Sequence, residues 1–173
     1  MKLIKAKQTM YQDIINLYED IIVNTPTMNE YGRWKKDLYP TKEIIKEYLD
    51  NDSLYVVLDN NKIIAGVGLT MFQTEEYHNI KWDKELKDNE VLVVHILGIS
   101  PKHQNQGLAS TIIDDIKLVA KENKMKAIRL DALESNKPAH HVYLNNGFKY
   151  HGLQNLYACN VGDTNFYYFE YLL

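Results

Sequence analysis

Cysteine, proline and long apolar runs are all scarce in this sequence. Its 173 residues include one cysteine, Cys159, and four prolines. One cysteine can form neither an internal disulfide nor a cysteine-rich zinc site, and such a low content is usual in a reducing compartment. The apolar runs, such as 91–94, are far too short to span a bilayer, and the N-terminus lacks the apolar region of a signal peptide. We therefore expect a cytoplasmic protein without a membrane partner.

An excess of either charge is also missing. The 20 Lys and Arg residues are nearly balanced by 23 Asp and Glu residues, which gives a formal net charge of -3. The lysines are scattered among acids, whereas binding of nucleic-acid phosphates draws on clustered Lys and Arg. We therefore expect no nucleic-acid partner. The hydrophobic content of 45% is that of an ordinary globular protein, and the length fits one domain over residues 1–173.

Apolar residues recur with helical spacing in some segments and form β-rich runs in others. Thr9 and Gln12 resemble a capping box at the start of the first helix, and Thr41 can cap the second helix. Asp59-Asn60-Asn61 is typical of a hairpin turn. The predicted helices cover 9–24, 41–50, 107–123 and 138–145, and the predicted strands cover 2–6, 54–58, 62–72, 90–99, 127–132, 148–153 and 165–172.

The order of these elements predicts the fold class. A strand, a helix and a second strand follow one another between Glu90 and Ala132, which predicts a parallel βαβ unit. The hairpin at 54–72 predicts antiparallel neighbours. We therefore expect an α/β (α+β mixed) fold, in which helices flank a central mixed, mostly antiparallel sheet that contains one parallel βαβ unit.

The turn that leads into the third predicted helix carries the most information. Unpaired N–H groups at a helix N-terminus, assisted by the helix dipole, can hold a pyrophosphate where small residues let the ligand come close. Gly107 and Ala109 provide that clearance. A lone glycine more often only starts a helix, and neither a Walker A pattern nor a dinucleotide Gly-x-Gly-x-x-Gly pattern is present. ATP and NAD therefore lose support as ligands, and the turn is a candidate phosphate-binding site with a plain helix start as the alternative.

Two spaced motifs in this region resemble a known family. Gln104, Gly107 and Ala109 resemble the Gln/Arg-x-x-Gly-x-Gly/Ala signature of the GCN5-related N-acetyltransferase (GNAT) family. A second segment resembles the family's Asn-x-x-Ala-x-x-Leu-Tyr-x-x-x-Gly-Phe pattern through Asn136, Ala139, Val142, Tyr143, Gly147 and Phe148. The resemblance covers about 91–151 and is typical of small bacterial members. It implies a single-domain GNAT fold and transfer of an acetyl group from acetyl-CoA (coenzyme A) to an amine.

The resemblance also implies roles for individual residues. The backbone amides of the turn would hold the CoA pyrophosphate, namely those of Gln104, Asn105, Gln106, Gly107, Leu108, Ala109 and Ser110. Leu97 and Ile99 would pair with the pantetheine through their backbone, and the N–H near Leu97 would stabilise the oxyanion. The side-chain amide of Asn136 would steady the cofactor. Tyr143 would protonate the departing thiolate, with a core aromatic as the alternative interpretation.

A base is also needed, because a lysine-like amine has a reference pKa of about 10.4 and attacks only after losing a proton. His95 has the same strand parity as Leu97, so both side chains share one face if no bulge intervenes. His95 can then accept a proton directly or through water. Glu75, Glu76 and His78, in the polar segment that precedes this strand, are alternatives, and a hydrogen-bonded core histidine is the structural alternative for His95.

The resemblance implies an acceptor pocket that is built from the early helices and the late strands. Candidate lining residues are Trp34, Tyr39, Tyr157 and Tyr167, with Glu76 as a further substrate contact, although aromatics often serve only for packing. Small-molecule amines, polyamines, aminoglycosides, peptide N-termini and protein lysines all remain open as acceptors. A larger acyl group, a homodimer, a non-catalytic acyl-CoA sensor and an interaction module also remain open.

No metal is expected in this chemistry. His140 and His141 are consecutive, so on a helix they point in different directions and form a poor ligand pair.

Overall fold

The computed structural model, which describes residues 2–173, contains one seven-stranded sheet in the order β1-β2-β3-β4-β5-β7-β6. Strands β4 and β5 pair in parallel, and all other neighbours pair antiparallel. The predicted fold class is thus confirmed. The strands are β1 (Leu3–Lys5), β2 (Leu54–Asp59), β3 (Lys62–Thr70), β4 (Val91–Ile99), β5 (Ala127–Leu133), β6 (Lys149–Ala158) and β7 (Gly162–Leu172).

Helices cover both faces of this sheet. They are α1 (Tyr11–Asn24), α2 (Lys42–Asp50), α3 (Leu108–Glu122) and α4 (Lys137–Asn145). Thr41 caps α2 as predicted, because its hydroxyl accepts a bond from the N–H of Ile44 at 3.2 Å. Within residues 2–173, no helix combines the length and the apolar character needed to cross a membrane.

The core divides between the two faces because alternate residues of a strand point to opposite sides. Leu92 and Val94 of β4 pack with Ile112 of α3 in the largest cluster of buried side chains. Val91 and Val93 face the other side, where they pack with aromatic residues of the segment between β3 and β4. Helices α1 and α2 cover the remainder of that second face.

Strand β4 contains a β-bulge at the middle of the sheet. The register shows that Ile96 and Leu97 together oppose the single residue Val67 of β3. Ile96 has a φ of 44°, a left-handed conformation that is strained for a β-branched residue. The Tyr18 hydroxyl of α1 donates a 2.9 Å hydrogen bond to the Ile96 carbonyl. The pairing of β4 with β5 ends at Val94, so the two strands separate at the bulge.

Two glycines allow α1 to lie close to the bulge. A Cβ atom at Gly66 would lie 2.9 Å from the Tyr18 hydroxyl, and one at Gly98 would lie 2.8 Å from Cδ1 of Ile21. Both distances are shorter than real Cβ contacts, so these positions need glycine for steric reasons.

The capping box predicted at Thr9 and Gln12 is wrong. Thr9 lies inside a short 3₁₀ helix, Gln8–Met10, and α1 begins only at Tyr11 without a side-chain cap. The Gln12 side chain instead donates to Asn16 one turn later. Side chains on an exposed first turn can choose among several partners, so the motif alone did not locate the helix start.

The last two strands are longer than predicted. They form a hairpin whose turn lies at 159–161, whereas the sequence predicted strands at 148–153 and 165–172. Gly152 has a φ of 115° at a register shift in β6, and polar residues such as Gln154 and Asn155 follow it. Since β6 is an edge strand with exposed positions, its sequence lacks the apolar alternation of a central strand.

We expect Tyr18→Phe to lower the free energy of unfolding by about 1–3 kcal/mol, because it leaves the buried Ile96 carbonyl without its donor. Urea unfolding followed by circular dichroism measures this change. Tyr55→Phe is the matched control, because the Tyr55 hydroxyl makes no hydrogen bond within residues 2–173. Equal stabilities of the two variants would contradict the role given to the Tyr18 bond.

Candidate active site

The turn before α3 presents a row of backbone amides. None of the N–H groups from Gln104 to Ala109 donates to another group within residues 2–173. Gly107, with a φ of 79°, and Asn105, with a φ of 59°, both adopt the left-handed conformation that such a turn requires. A Cβ atom at Gly107 would meet nothing within 4 Å, so the space beside it is open. The turn therefore has the form of an anion-binding site.

Polar side chains of the same turn brace the loop. The Gln104 amide donates to the carbonyl of Ile99 at 2.9 Å, and the Gln106 amide donates to the carbonyl of Lys102 at 2.9 Å. Ser110 accepts a 3.0 Å bond from the residue that follows α4. Because these side chains are engaged in the fold, the free donors of the turn are its backbone amides.

A cavity of about 190 Å³ connects this turn with the end of β4. Its lining includes Gln104, Leu97, Ile99 and Asn136. The edge of β4 that faces β5 has no strand partner beyond Val94, so its backbone is accessible there. The Asn136 side chain, at the start of α4, makes no hydrogen bond within residues 2–173. These four of the predicted cofactor residues thus line one groove, whereas residues 105–110 do not line it.

A second cavity, of about 370 Å³, lies beside the first and shares Trp34, Leu97 and Asn136 with it. It occupies the gap where β4 and β5 separate, between α4 and the turn of the β6–β7 hairpin. The Asn160 amide of that turn donates to the Arg33 carbonyl at 2.8 Å and joins two walls. It shares Gly32 with the first cavity as well, and its other lining residues are Tyr39, Val94, Ile96, Asp131, Ala132, Leu133, Tyr143, Tyr157, Ala158, Cys159, Asn160 and Phe166.

Tyr143 places a protonated hydroxyl at this second cavity. Its ring packs against Phe148 and Phe169, with ring centroids 5.9 Å and 5.6 Å away. The hydroxyl makes no hydrogen bond within residues 2–173. Burial, with a smaller effect from the charge of Asp131, raises the pKa of Tyr143 well above its usual range. Tyr143 is therefore available as a hydrogen-bond donor.

His95 does not share a face with Leu97, so that expectation is wrong. The bulge at Ile96 adds one residue to β4 between His95 and Leu97, so their side chains point to opposite faces of the sheet. The His95 ring stacks on Tyr48 of α2 with centroids 5.5 Å apart, and its Nε2 lies 3.1 Å from the Thr70 hydroxyl. His95 lines neither cavity, and burial lowers its pKa to about 4. Its catalytic role stays a prediction.

The alternative bases lie outside the two cavities as well. Glu75 and Glu76 are exposed in a 3₁₀ helix, Glu75–Asn79, and His78 pairs with Asp88 at 2.7 Å. The charge of Glu76 opposes the lowering of the His95 pKa without overcoming burial.

Among the aromatic candidates for the acceptor pocket, Trp34, Tyr39 and Tyr157 line the larger of the two adjoining cavities. Neither Glu76 nor Tyr167 lines it, and Tyr167 instead bonds to Glu134 at a separate cavity.

Sequence reasoning missed Asp131, which is the one carboxylate lining the larger cavity within residues 2–173. It follows the last parallel pair of β5, and the Tyr77 hydroxyl donates to its Oδ1 at 2.6 Å. Burial raises the pKa of Asp131, and the Glu76 charge adds to the rise. Arg129, two residues earlier, is paired with Glu170 at 2.7 Å. The signal in the sequence was the presence of two charged residues in the predicted strand 127–132.

A group that can offer three metal ligands lies elsewhere, at Asp83, His151 and Glu170. Asp83 is paired with Lys149, and Glu170 is paired with Arg129. These two cations already neutralise the carboxylates, so the group is a set of ion pairs in the described chain.

Most of the sequence matches a known protein family. A model of the acetyltransferase (GNAT) family matches residues 14–148. No curated protein matches the sequence.

Several solved structures share the fold across the whole chain. A GNAT-family acetyltransferase from Streptococcus agalactiae has a TM-score of 0.83 at 20% identity, covering 99% of this chain and 95% of that one. A ribosomal-protein-alanine N-acetyltransferase from Brucella melitensis has a TM-score of 0.74 at 12% identity, with 100% of both chains covered. The protein yncA from Salmonella typhimurium, solved with its cofactor acetyl-CoA, has a TM-score of 0.71 at 10% identity, covering 99% and 93%. At these identities the likeness shows the fold alone.

Burial of His95 should make the stability of the protein depend on pH. Its folded pKa of about 4 lies below the ordinary histidine value, so the unfolded chain binds the proton more readily. We expect wild type to lose about 3 kcal/mol relative to His95→Gln as the pH falls from about 6.5 to about 4. Urea unfolding of both proteins across this range measures the difference. A difference independent of pH would show that His95 is not desolvated.

Proposed function

This chain belongs to the acetyltransferase (GNAT) family, and we propose that it transfers the acetyl group of acetyl-CoA directly to an amine within one ternary complex. It is an acyl-CoA-dependent N-acetyltransferase. One observation carries the proposal of direct transfer: the groove from the Gln104 turn and the cavity at Tyr143 share Leu97 and Asn136. Two substrates bound from the two sides would therefore meet at the bulge of β4.

The groove presents polar groups without partners in the described chain, and these groups are complementary to CoA. The free amides before α3 and the helix N-terminus would bind the pyrophosphate. The unpaired edge of β4 at Leu97 and Ile99 would bond to the pantetheine as an added strand does. The Asn136 amide, which has no partner in the described chain, would bond to the same arm.

When bound, acetyl-CoA supplies an acyl group activated as a thioester. The nitrogen–carbon bond forms as the carbon–sulfur bond breaks, the amine loses one proton and the sulfur gains one. We propose that the backbone N–H near Leu97 stabilises the carbonyl oxygen as it becomes negative. The Tyr143 hydroxyl donates a hydrogen bond to the leaving sulfur. Since the raised pKa of Tyr143 exceeds a thiol's value of about 8.5, hydrogen bonding is more favourable than full proton transfer.

The proton of the amine needs an acceptor, and two residues are proposed. His95 is neutral above a pKa of about 4, but its ring lies outside the cavity and would act only through water. Asp131 lines the cavity, so it is nearer to the proposed amine than His95 is. Its raised pKa also makes it a stronger base than an ordinary carboxylate. A normal rate in His95→Gln would remove His95 from the mechanism.

We expect Gly107→Leu to raise the dissociation constant of acetyl-CoA by about tenfold or more, or about 1.4 kcal/mol, because the side chain would occupy the open space beside the amides. Isothermal titration calorimetry measures the affinity. Release of free CoA with a panel of amines then tests the transfer itself.

Gly162→Leu is the matched control for this experiment. Gly162 has a φ of 82°, close to the 79° of Gly107, and a Cβ atom there also meets nothing within 4 Å. Both variants therefore place a side chain on a residue with nearly the same positive φ, but only Gly107 lies at the turn before α3. Equal affinities of the two variants would contradict the proposed CoA site, and binding without CoA release for any amine would indicate a sensor.

We expect Tyr143→Phe to lower kcat by roughly tenfold to a thousandfold, because it removes the donor to the leaving sulfur and little else. The dissociation constant of acetyl-CoA should change little, and calorimetry checks that. A kcat equal to that of wild type would show that the reaction does not depend on a hydrogen bond from Tyr143 to the sulfur.

A further inference from the structure

The larger of the two adjoining cavities, at Tyr143, is lined by one charged residue and several aromatic residues. Of its lining residues within 2–173, Asp131 is the only carboxylate, and none is Lys, Arg or His. Trp34 and Tyr39 form one wall with ring centroids 6.4 Å apart in an edge arrangement. Tyr157, which is 75% exposed, stands at the rim. A carboxylate surrounded by aromatic rings is complementary to a cation with an apolar body.

Asp131 has no cation of its own in the described chain. Its Oδ1 accepts from the Tyr77 hydroxyl at 2.6 Å, and no Lys, Arg or His group lies within 4.0 Å of it among the ion pairs of residues 2–173. By contrast, Arg129 on the same strand is neutralised by Glu170. A desolvated carboxylate without a cation is unfavourable unless something else supplies the charge.

The cationic residue between two lining residues of the early loop does not itself line this cavity. Arg33 stands between Gly32 and Trp34 in the sequence, and both of these neighbours line the larger cavity. Arg33 itself lines a separate cavity with Lys137 and His140. Only its carbonyl contributes to the wall, by accepting the bond from Asn160. An acceptor that carries a carboxylate would therefore find no cation in this cavity and would face Asp131.

We infer that the acceptor is a compact cationic amine with an aromatic or aliphatic body and no carboxylate on the carbon that bears the nitrogen. Asp131 binds its ammonium group and is the residue that determines specificity. This inference rests on the proposed function, since it names the substrate class of the same site. Free amino acids are excluded as good acceptors, because their carboxylate would be buried unpaired beside Asp131.

Matched pairs of amines test this inference, since each pair differs only in the carboxylate. The pairs are tyramine and tyrosine, phenethylamine and phenylalanine, and isoamylamine and leucine. The better amine is the one of the three that the protein acetylates with the highest kcat/KM. We expect its kcat/KM to exceed that of its amino acid by at least about 100-fold, as is usual when a polar group is buried unpaired. Equal use of the two members in every pair would overturn the inference.

Variants assign this preference to Asp131. Asp131→Asn keeps the shape and an acceptor for Tyr77, and we expect it to raise KM for the better amine by about 10-fold to 100-fold. Glu134→Gln is the control, because Glu134 follows β5 but lines the separate cavity with Arg33. An unchanged KM in Asp131→Asn, or the same rise in both variants, would also overturn the inference. A cooperative thermal unfolding transition of Asp131→Asn at neutral pH would confirm that the variant folds.

A binding measurement separates this inference from the proposed function. Calorimetric titration of the protein–CoA complex with tyramine and with tyrosine compares the two ligands without turnover. Preferential binding of tyramine that Asp131→Asn abolishes, without CoA release, would refute acetyl transfer but support the ligand class. CoA release with amino acids alone would support transfer and refute the ligand class. Failure of all three amines to bind or react would overturn the inference.

Discussion

The hydrogen bond from the Tyr18 hydroxyl to the Ile96 carbonyl holds a strained residue in the centre of the sheet. The extra residue in β4 ends its pairing with β5 after Val94, and both cavities form in the gap. The strain at Ile96 is maintained only because α1 approaches closely over Gly66. Helix α1 thus has a part in shaping the site although most of its residues lie far from the proposed chemistry.

The same bulge explains which parts of the site the sequence predicted. The Gln104 turn follows from local rules, because helix starts and small residues appear directly in the sequence, whereas the role of Asn136 was implied only by the family resemblance. The face of His95 was predicted wrongly, because a left-handed isoleucine has no local signal and depends on a contact with a residue 78 positions away. The long β6–β7 hairpin was underestimated because an edge strand has no need of apolar alternation. The order of elements and the mixed sheet were predictable because central strands and amphipathic helices have strong periodicities.

Strand β5 carries two charged residues, one of which is neutralised within the fold while the other borders the larger cavity. Arg129 is buried with its partner Glu170 and stacks 4.0 Å from the centre of the Trp82 ring, so its charge is fully used by the fold. Asp131 has only a tyrosine hydroxyl as a partner and borders a cavity. Two charged residues on one face of one strand therefore have different consequences, and only a three-dimensional arrangement distinguishes them.

The β6–β7 hairpin contributes Tyr157, Cys159 and Asn160 to the wall of the larger cavity, yet it lies beyond the segment 14–148 that matches the family. Its strand β6 has a neighbour on one side only, so changes at its tip leave the pairing of β4 and β5 intact. Natural selection can therefore alter this wall without disturbing the groove that is proposed to bind CoA. Divergence of acceptor preference among descendants of this chain should accumulate in the hairpin tip, while the turn before α3 stays under purifying selection.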